Sequence, residues 1–207
     1  FKIDIVNLEI WENFVLGTVP FKKNAPLGPV LFPKRTVPNT KNERMRNMLL
    51  ENKKILIMGI RNKWSIAYGI AKAAYENGAK LIFTYTNEEN KEKTESLISE
   101  FEGSKAYVLK DASVDELVKE TFTKIKEENG KIDGIVHCIA HAFTEDLHND
   151  FIKTSKDGYT HAVEVSSYSF VLASRIVKEL DMINEKASLV ALTYYGSTKV
   201  LEGYNVM

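Results

Sequence analysis

Apolar positions in this chain change their spacing from run to run. Ile55, Leu56, Ile57 and Met58 stand together without a polar break, as in a strand covered on both faces of a parallel sheet. Gly59 ends the run and a short polar, basic loop follows. From Ser65 the spacing turns helical: Ile66, Ala67, Ile70, Ala71 and Ala74 fall on one stripe, and Gly78 stands where a helix-ending glycine belongs. Further strands are predicted over Lys80–Tyr85, Lys105–Leu109, Ile132–Ile139 and Ala187–Thr193. The segments between them read as helices. One covers Asn87–Phe101 and buries Leu97, Ile98 and Phe101. A second opens on a capping box of Ser113 and Glu116 and buries Val114, Leu117, Val118, Phe122 and Ile125. Two more are predicted over Thr154–Val165 and Ser167–Leu180. Alternation of this kind requires right-handed crossovers and a parallel sheet covered on both faces. The expected fold is α/β, a doubly wound, Rossmann-like sheet between two helix layers, ordered 3-2-1-4-5. Its ligand site falls at the carboxyl ends of strands 1 and 4.

Residues 1–47 break this pattern. All five prolines lie between Pro20 and Pro38 and none follows. No helical or strand period is sustained there, so the segment reads as an irregular or disordered leader, or as sequence translated from upstream of a start at Met48, in preference to a docking arm. The nucleotide-binding domain is expected over 48–207.

Charge and composition narrow the partners. Basic and acidic side chains balance at 28 each, so no global field recruits nucleic acid or an anionic membrane. The lone cysteine, Cys138, excludes an internal disulfide framework and suits a reducing compartment. No apolar run approaches the roughly twenty residues of a membrane span, and no signal-peptide pattern opens the chain. A soluble cytoplasmic protein is expected.

The candidate chemistry gathers at predicted strand ends. Strand, glycine turn and helix start, from Ile55 to Ser65, would offer backbone N–H groups and a positive dipole end to a phosphate. The GxGxxG fingerprint is missing, since Gly59 and Gly69 are ten apart, and that segment alone is compatible with an ordinary strand–helix unit. Thr86 follows strand 2, Asp111 and Ala112 follow strand 3, and Cys138–Phe143 follows strand 4. Tyr194, Tyr195 and Gly196 follow strand 5, and Tyr204 stands ten residues after Tyr194. A tyrosine hydroxyl can polarise a carbonyl oxygen or donate a proton. His137, His141 and His148 do not share a helix face, because His137 falls in a strand. Strand-end hydrogen bonding is expected of them and no metal site. Cys138 reads as a small core residue, and the Glu/Lys run over 88–95 as a solvated helix face.

The segment from Met48 to Met207 resembles the bacterial enoyl-acyl-carrier-protein reductases, a divergent branch of the short-chain dehydrogenase/reductase superfamily. The resemblance rests on Gly59-x5-Ser65-Ile66-Ala67-Tyr68-Gly69, Asp133-Gly134-x-Val136-His137 running into Ile139, and Ser166-Ser167-Tyr168-Ser169-Phe170. It also rests on Leu192-Thr193-Tyr194 with Tyr204-Asn205-Val206-Met207. The resemblance implies reduction of a trans-2-enoyl thioester on acyl carrier protein by a nicotinamide cofactor, in fatty-acid elongation. The family's oxyanion donor falls on Tyr204 and its second tyrosine on Tyr194. Gly59, Ser65, Ile66, Asp111, Ala112 and Ile139 would line the cofactor, with Thr86 beside its adenosine end, and Ala142 would touch the acyl group. Asp111 would accept from the adenine amino group, and Ser65 would meet the pyrophosphate. The run Thr86-Asn87-Glu88-Glu89 carries two carboxylates where a 2′-phosphate would need cations, so NADH is expected over NADPH, although Lys91 is close by.

The family's lysine, seven residues after the donor tyrosine, falls four beyond Met207, as do further helices and strands 6 and 7. The chain is therefore expected to be part of a homotetrameric enzyme and inactive by itself, with strand 5 an exposed edge. The alternative is a catalytically silent nucleotide-binding fragment or interaction protein. Another short-chain dehydrogenase, acting on hydroxyl groups, fits the Ser65-Ile66 motif and the tyrosine spacing less well.

Overall fold

The computed structural model describes residues 48–194, 196 and 198–207. The leader proposed over 1–47 lies outside them, as does Tyr195.

Five strands form one parallel sheet in the order β3-β2-β1-β4-β5: β1 Lys54–Met58, β2 Lys80–Tyr85, β3 Lys105–Val108, β4 Ile132–His137 and β5 Ile183–Ala191. The helices are α1 Ile66–Glu76, α2 Lys91–Ile98, α3 Asp115–Asn129, α4 Thr144–His148, α5 Lys156–Val163 and α6 Ser169–Glu179. Sheet order and parallel pairing agree with the sequence reading. None of these helices is long and apolar enough to cross a membrane.

The unbroken apolar run of β1 serves two cores. Leu56 and Met58 join Val118, Phe122 and Ile125 of α3 and Leu172, Ile176 and Val177 of α6 on one face. Ile57 joins Ala67, Ala71 and Ala74 of α1 with Leu97, Ile98 and Phe101 on the other. A side-chain period of two inside a continuously apolar strand is what a sheet with helices on both faces requires. The alanine stripe lets α1 lie close to the sheet. After Asn77, Gly78 takes φ +91°, and the bonds Gly78 N–H to Tyr75 O (2.9 Å) and Ala79 N–H to Ala74 O (3.1 Å) close a Schellman turn.

Several local expectations need correction. Ile66 is not on the buried stripe; 52% of it is exposed. The Ser113–Glu116 capping box does not form. Ser113 Oγ donates instead to Asp111 Oδ1 (2.6 Å), a charge-assisted bond that outcompetes a backbone amide. Val114 is then the cap of α3, without a side-chain bond and exposed. The 87–101 segment is a single turn at Glu88–Asn90 and then the shorter α2. The two helices predicted between Thr154 and Leu180 are continuous, joined by a widened π-type turn at Glu164–Tyr168. Finally, β5 starts four residues earlier than predicted and ends at Ala191. Its register is regular only from Ser188, because Lys186 takes a left-handed conformation (φ +65°) and interrupts the pairing.

Candidate active site

Because all five strands run parallel and pair level towards their carboxyl ends, those ends meet at one edge: Met58 is level with Thr84 and His137, and His137 with Ala191. Every segment singled out from the sequence therefore opens on that edge.

Gly59 leaves β1 with φ +87°. A Cβ there would stand 2.8 Å from Cys138 O and 2.9 Å from Ile139 Cγ1. Only glycine allows the loops after β1 and β4 to approach this closely. Asn62 then turns the chain, accepting from Trp64 N–H on its side chain (2.9 Å) and from Ser65 Oγ–H on its carbonyl (2.6 Å). Ser65 is the N-cap of α1 and accepts from Tyr68 N–H at 3.3 Å. Its hydroxyl proton is thus engaged within the loop. The backbone N–H groups of Ile66 and Ala67, the other two in the first turn of α1, remain as donors for an anion, reinforced by the helix dipole. Exposed Ile66 lies beside them.

Thr86 is exposed at the end of β2, followed by exposed Glu88 and Glu89. Burial, and then the field of Glu88 and Glu95, hold the Tyr85 hydroxyl above its usual range, a sign of negative potential there. Asp111 accepts from both Ser113 N–H and Ser113 Oγ–H through Oδ1. Ala112 is buried in the core on the α3 side, and Ile139 packs against the same cluster.

Beyond β5, Tyr194 is 37% and Tyr204 49% exposed, and their ring centroids are 5.5 Å apart at 51°. Tyr194 OH donates to Met207 O (2.6 Å). Burial, and then Tyr204, hold its hydroxyl above the usual range, so it keeps its proton at neutral pH. Asn205 ties this segment to α4, its N–H donating to Leu147 O at 3.4 Å and its side chain to Asn149 O. The sheet edge thus brings both tyrosines together with the loop carrying half-buried Ala142.

The histidines behave differently from one another. His137 is 2% exposed and its Nε2 lies 2.7 Å from Ser169 Oγ. Ser169 donates its only hydroxyl proton to Val165 O (2.6 Å), so His137 must be the donor and is the neutral Nε2–H tautomer. Burial pushes its pKa down to about 4. Burial also pushes the Cys138 thiol up to about 12, which leaves it unreactive. His141 meets His161, which sequence reasoning did not single out. His161 carries no spacing signal, because it comes to His141 across twenty residues and from another element.

No three His, Cys, Asp or Glu side chains converge among the described residues. The hydroxyl of Ser166 in the π-turn donates to His141 O (3.3 Å) and accepts from His141 N–H (3.1 Å), pinning the loop after β4 to the long helix.

Similarity to known proteins bears on this geometry. Residues 59–207 match the sequence model of a family described as Enoyl-(Acyl carrier protein) reductase. The enoyl-acyl-carrier-protein reductase of Bacillus cereus, named for NADH, is 39% identical over 160 residues, covering 77% of this chain and 62% of the relative. That of Staphylococcus aureus, named for NADPH, is 42% identical over 159 residues, covering 76% and 61%. Among solved structures, the Bacillus cereus reductase with NADP+ and an indole naphthyridinone superposes with a TM-score of 0.72 at 39% identity, over 77% of this chain and 62% of that one. The Anaplasma phagocytophilum reductase in complex with NAD gives 0.73 at 31%, over 77% and 60%. The chain spans about three fifths of the length of these relatives. A family model matched over residues 59–207, with relatives 39% and 42% identical, places the chain in the enoyl-acyl-carrier-protein reductase family.

Proposed function

We propose that this chain carries the cofactor half and the two tyrosines of an enzyme that reduces the trans-2 double bond of enoyl thioesters on acyl carrier protein, with NADH as reductant. The observation that carries the reading is the pairing of Tyr194 and Tyr204, rings 5.5 Å apart, at the same sheet edge as the Gly59 turn and the N-terminus of α1. Family membership and relatives named for that reaction support it.

The residues present suit a dinucleotide. Gly59 lets the loops after β1 and β4 close together beside the start of α1, where a Cβ would clash with Cys138 and Ile139. The first turn of α1, capped by Ser65, supplies N–H donors for a pyrophosphate. Ile66 and Ile139 offer apolar surface, Ala112 a small side chain and Asp111 an acceptor for an amino group. Thr86 with Glu88 and Glu89 favours a free ribose hydroxyl over a 2′-phosphate. When bound, a reduced nicotinamide supplies the hydride for the β-carbon.

The protein's own part is electrostatic. As the β-carbon gains hydride, negative charge builds on the thioester oxygen. A positioned hydroxyl stabilises that charge more than it stabilises the ground state. Tyr204 is the donor in this reading. Tyr194, kept protonated and braced on Met207 O, holds the Tyr204 ring and closes one side of the site. Ala142, small and half-buried, leaves room for the acyl group. A reducing, cytoplasmic setting fits the lone, largely buried Cys138. Exposed Tyr159, Val163 and Val171 supply apolar surface for the homotetramer that this reading includes.

The test is enoyl-dependent NADH oxidation by the full-length protein. The expected result is turnover with an enoyl thioester and none with the saturated one. Oxidation indifferent to the enoyl thioester would overturn the reading.

A further inference from the structure

The ring that faces His141 is His161 of α5, with His141 Nδ1 2.7 Å from His161 Nε2. The ring planes stand at 88° with centroids 4.9 Å apart. Three contacts fix this orientation. His161 stacks on Phe143 at 4.5 Å and 8°. Phe143 in turn meets His141 edge-on at 6.0 Å. The His141 backbone is held by Ser166 at 3.1 Å. His141 is exposed and His161 half-exposed, so an ion from solvent can reach the two facing nitrogens.

We propose that His141 and His161 form a bidentate site for a borderline divalent cation of the Zn2+ type, completed by solvent. Imidazole is a preferred ligand of such ions, and two imidazoles with water satisfy a tetrahedral centre. In the metal-free pair a single proton lies between the two nitrogens, one ring donating to the other. On binding, the cation takes that place. His141 then carries its hydrogen on Nε2 and His161 on Nδ1. Between two neutral rings, the one that had donated changes tautomer. Metal–nitrogen bonds of about 2.0–2.1 Å at a tetrahedral angle set the nitrogens about 3.3 Å apart, so the rings part by about 0.6 Å. With two protein ligands the site is weaker than a four-ligand structural zinc centre. It would clamp the loop carrying Ala142 to α5. It stands independently of the proposed reaction.

The chain holds four histidines, and His137 is buried on Ser169, which makes the control simple. Zn2+ is titrated calorimetrically into the full chain, into His141→Ala, His161→Ala and His161→Gln, and into His148→Ala as control. One saturable site is expected. Its affinity should fall in the first three variants by at least the roughly 10- to 100-fold that follows from removing even a ligand's supporting partner. It should be unchanged in His148→Ala. His161→Gln keeps a hydrogen-bonding partner for His141 but no zinc ligand, so loss of binding there reports chelation and not unfolding. Absence of saturable binding in the parent, or equal affinity in His161→Gln, would overturn the proposal, and so would dependence on His148.

Discussion

Replacing Gly59 and Gly69 by alanine, one at a time, should change stability in opposite directions. At Gly59 (φ +87°) the left-handed backbone costs an L-residue about 1–2 kcal/mol. The new methyl also lands 2.8 Å from Cys138 O and 2.9 Å from Ile139 Cγ1. The first of these is backbone held in the sheet by Cys138 N–H to Met58 O (3.1 Å), so relief requires parting the ends of β1 and β4. Overpacking of that kind costs about 1–3 kcal/mol. A total near 3 kcal/mol corresponds to a fall in Tm of roughly 6–12 °C for a domain of this size. Gly69 lies inside α1, and a methyl added there would meet no atom within 4 Å. Alanine at that position should gain about 1 kcal/mol from helix propensity and raise Tm by roughly 2–4 °C. Thermal unfolding followed by far-UV circular dichroism reads both. A Gly59→Ala protein melting with the parent would refute the close-approach argument, and so would a destabilised Gly69→Ala.

Three further outcomes are expected. His137, with its pKa pushed down to about 4 by burial, stays neutral in the folded chain while the unfolded chain protonates near pH 6.5. Its effect is absent above that pH and destabilising below it, removing about 3 kcal/mol between pH 6.5 and 4. Denaturant titrations across that window should show this slope in the parent and a flatter one in His137→Asn. Asp133 binds Lys54 N–H (3.0 Å), Lys53 Nζ (3.1 Å) and Asn184 Nδ2 (3.1 Å) at the sheet edge opposite the site. Asp133→Ala should therefore cost about 1–3 kcal/mol of stability while leaving NADH affinity unchanged in a fluorescence titration. NADPH should bind more weakly than NADH, and Thr86→Arg with Glu88→Gln should tighten NADPH roughly 10- to 150-fold, since one charge-assisted hydrogen bond is worth roughly 1.5–3 kcal/mol.

The sheet was legible because its signals are local and redundant. Four apolar residues followed by Gly59, or KLIFTY over Lys80–Tyr85, admit few other readings, and short crossovers leave few strand orders. What escaped sequence reasoning is decided by competition between neighbours. Ser113 could have bonded a backbone amide or a carboxylate, and only the structure shows that Asp111 wins. Lys186 has no glycine-like mark, yet its left-handed turn sets where β5 becomes regular. The π-turn at Glu164–Tyr168 looks like an interruption in helical spacing but is a widened turn within one continuous helix. For the site, strand-end positions were readable one by one. The encounter of His141 with His161 was not, since it depends on where α5 packs relative to the loop after β4.

The central claim is hydride delivery to the β-carbon of an enoyl thioester with charge stabilised by Tyr204. The most direct measurement supplies NADH deuterated at its transferable position to the full-length protein, with enoyl-acyl carrier protein, and locates the label in the acyl product by mass spectrometry. The account predicts one deuterium on the β-carbon and a fall in rate of roughly 100- to 1,000-fold in Tyr204→Phe, the scale of losing one oxyanion donor. An unlabelled product, or label at another carbon, would contradict it, as would an undiminished rate in Tyr204→Phe.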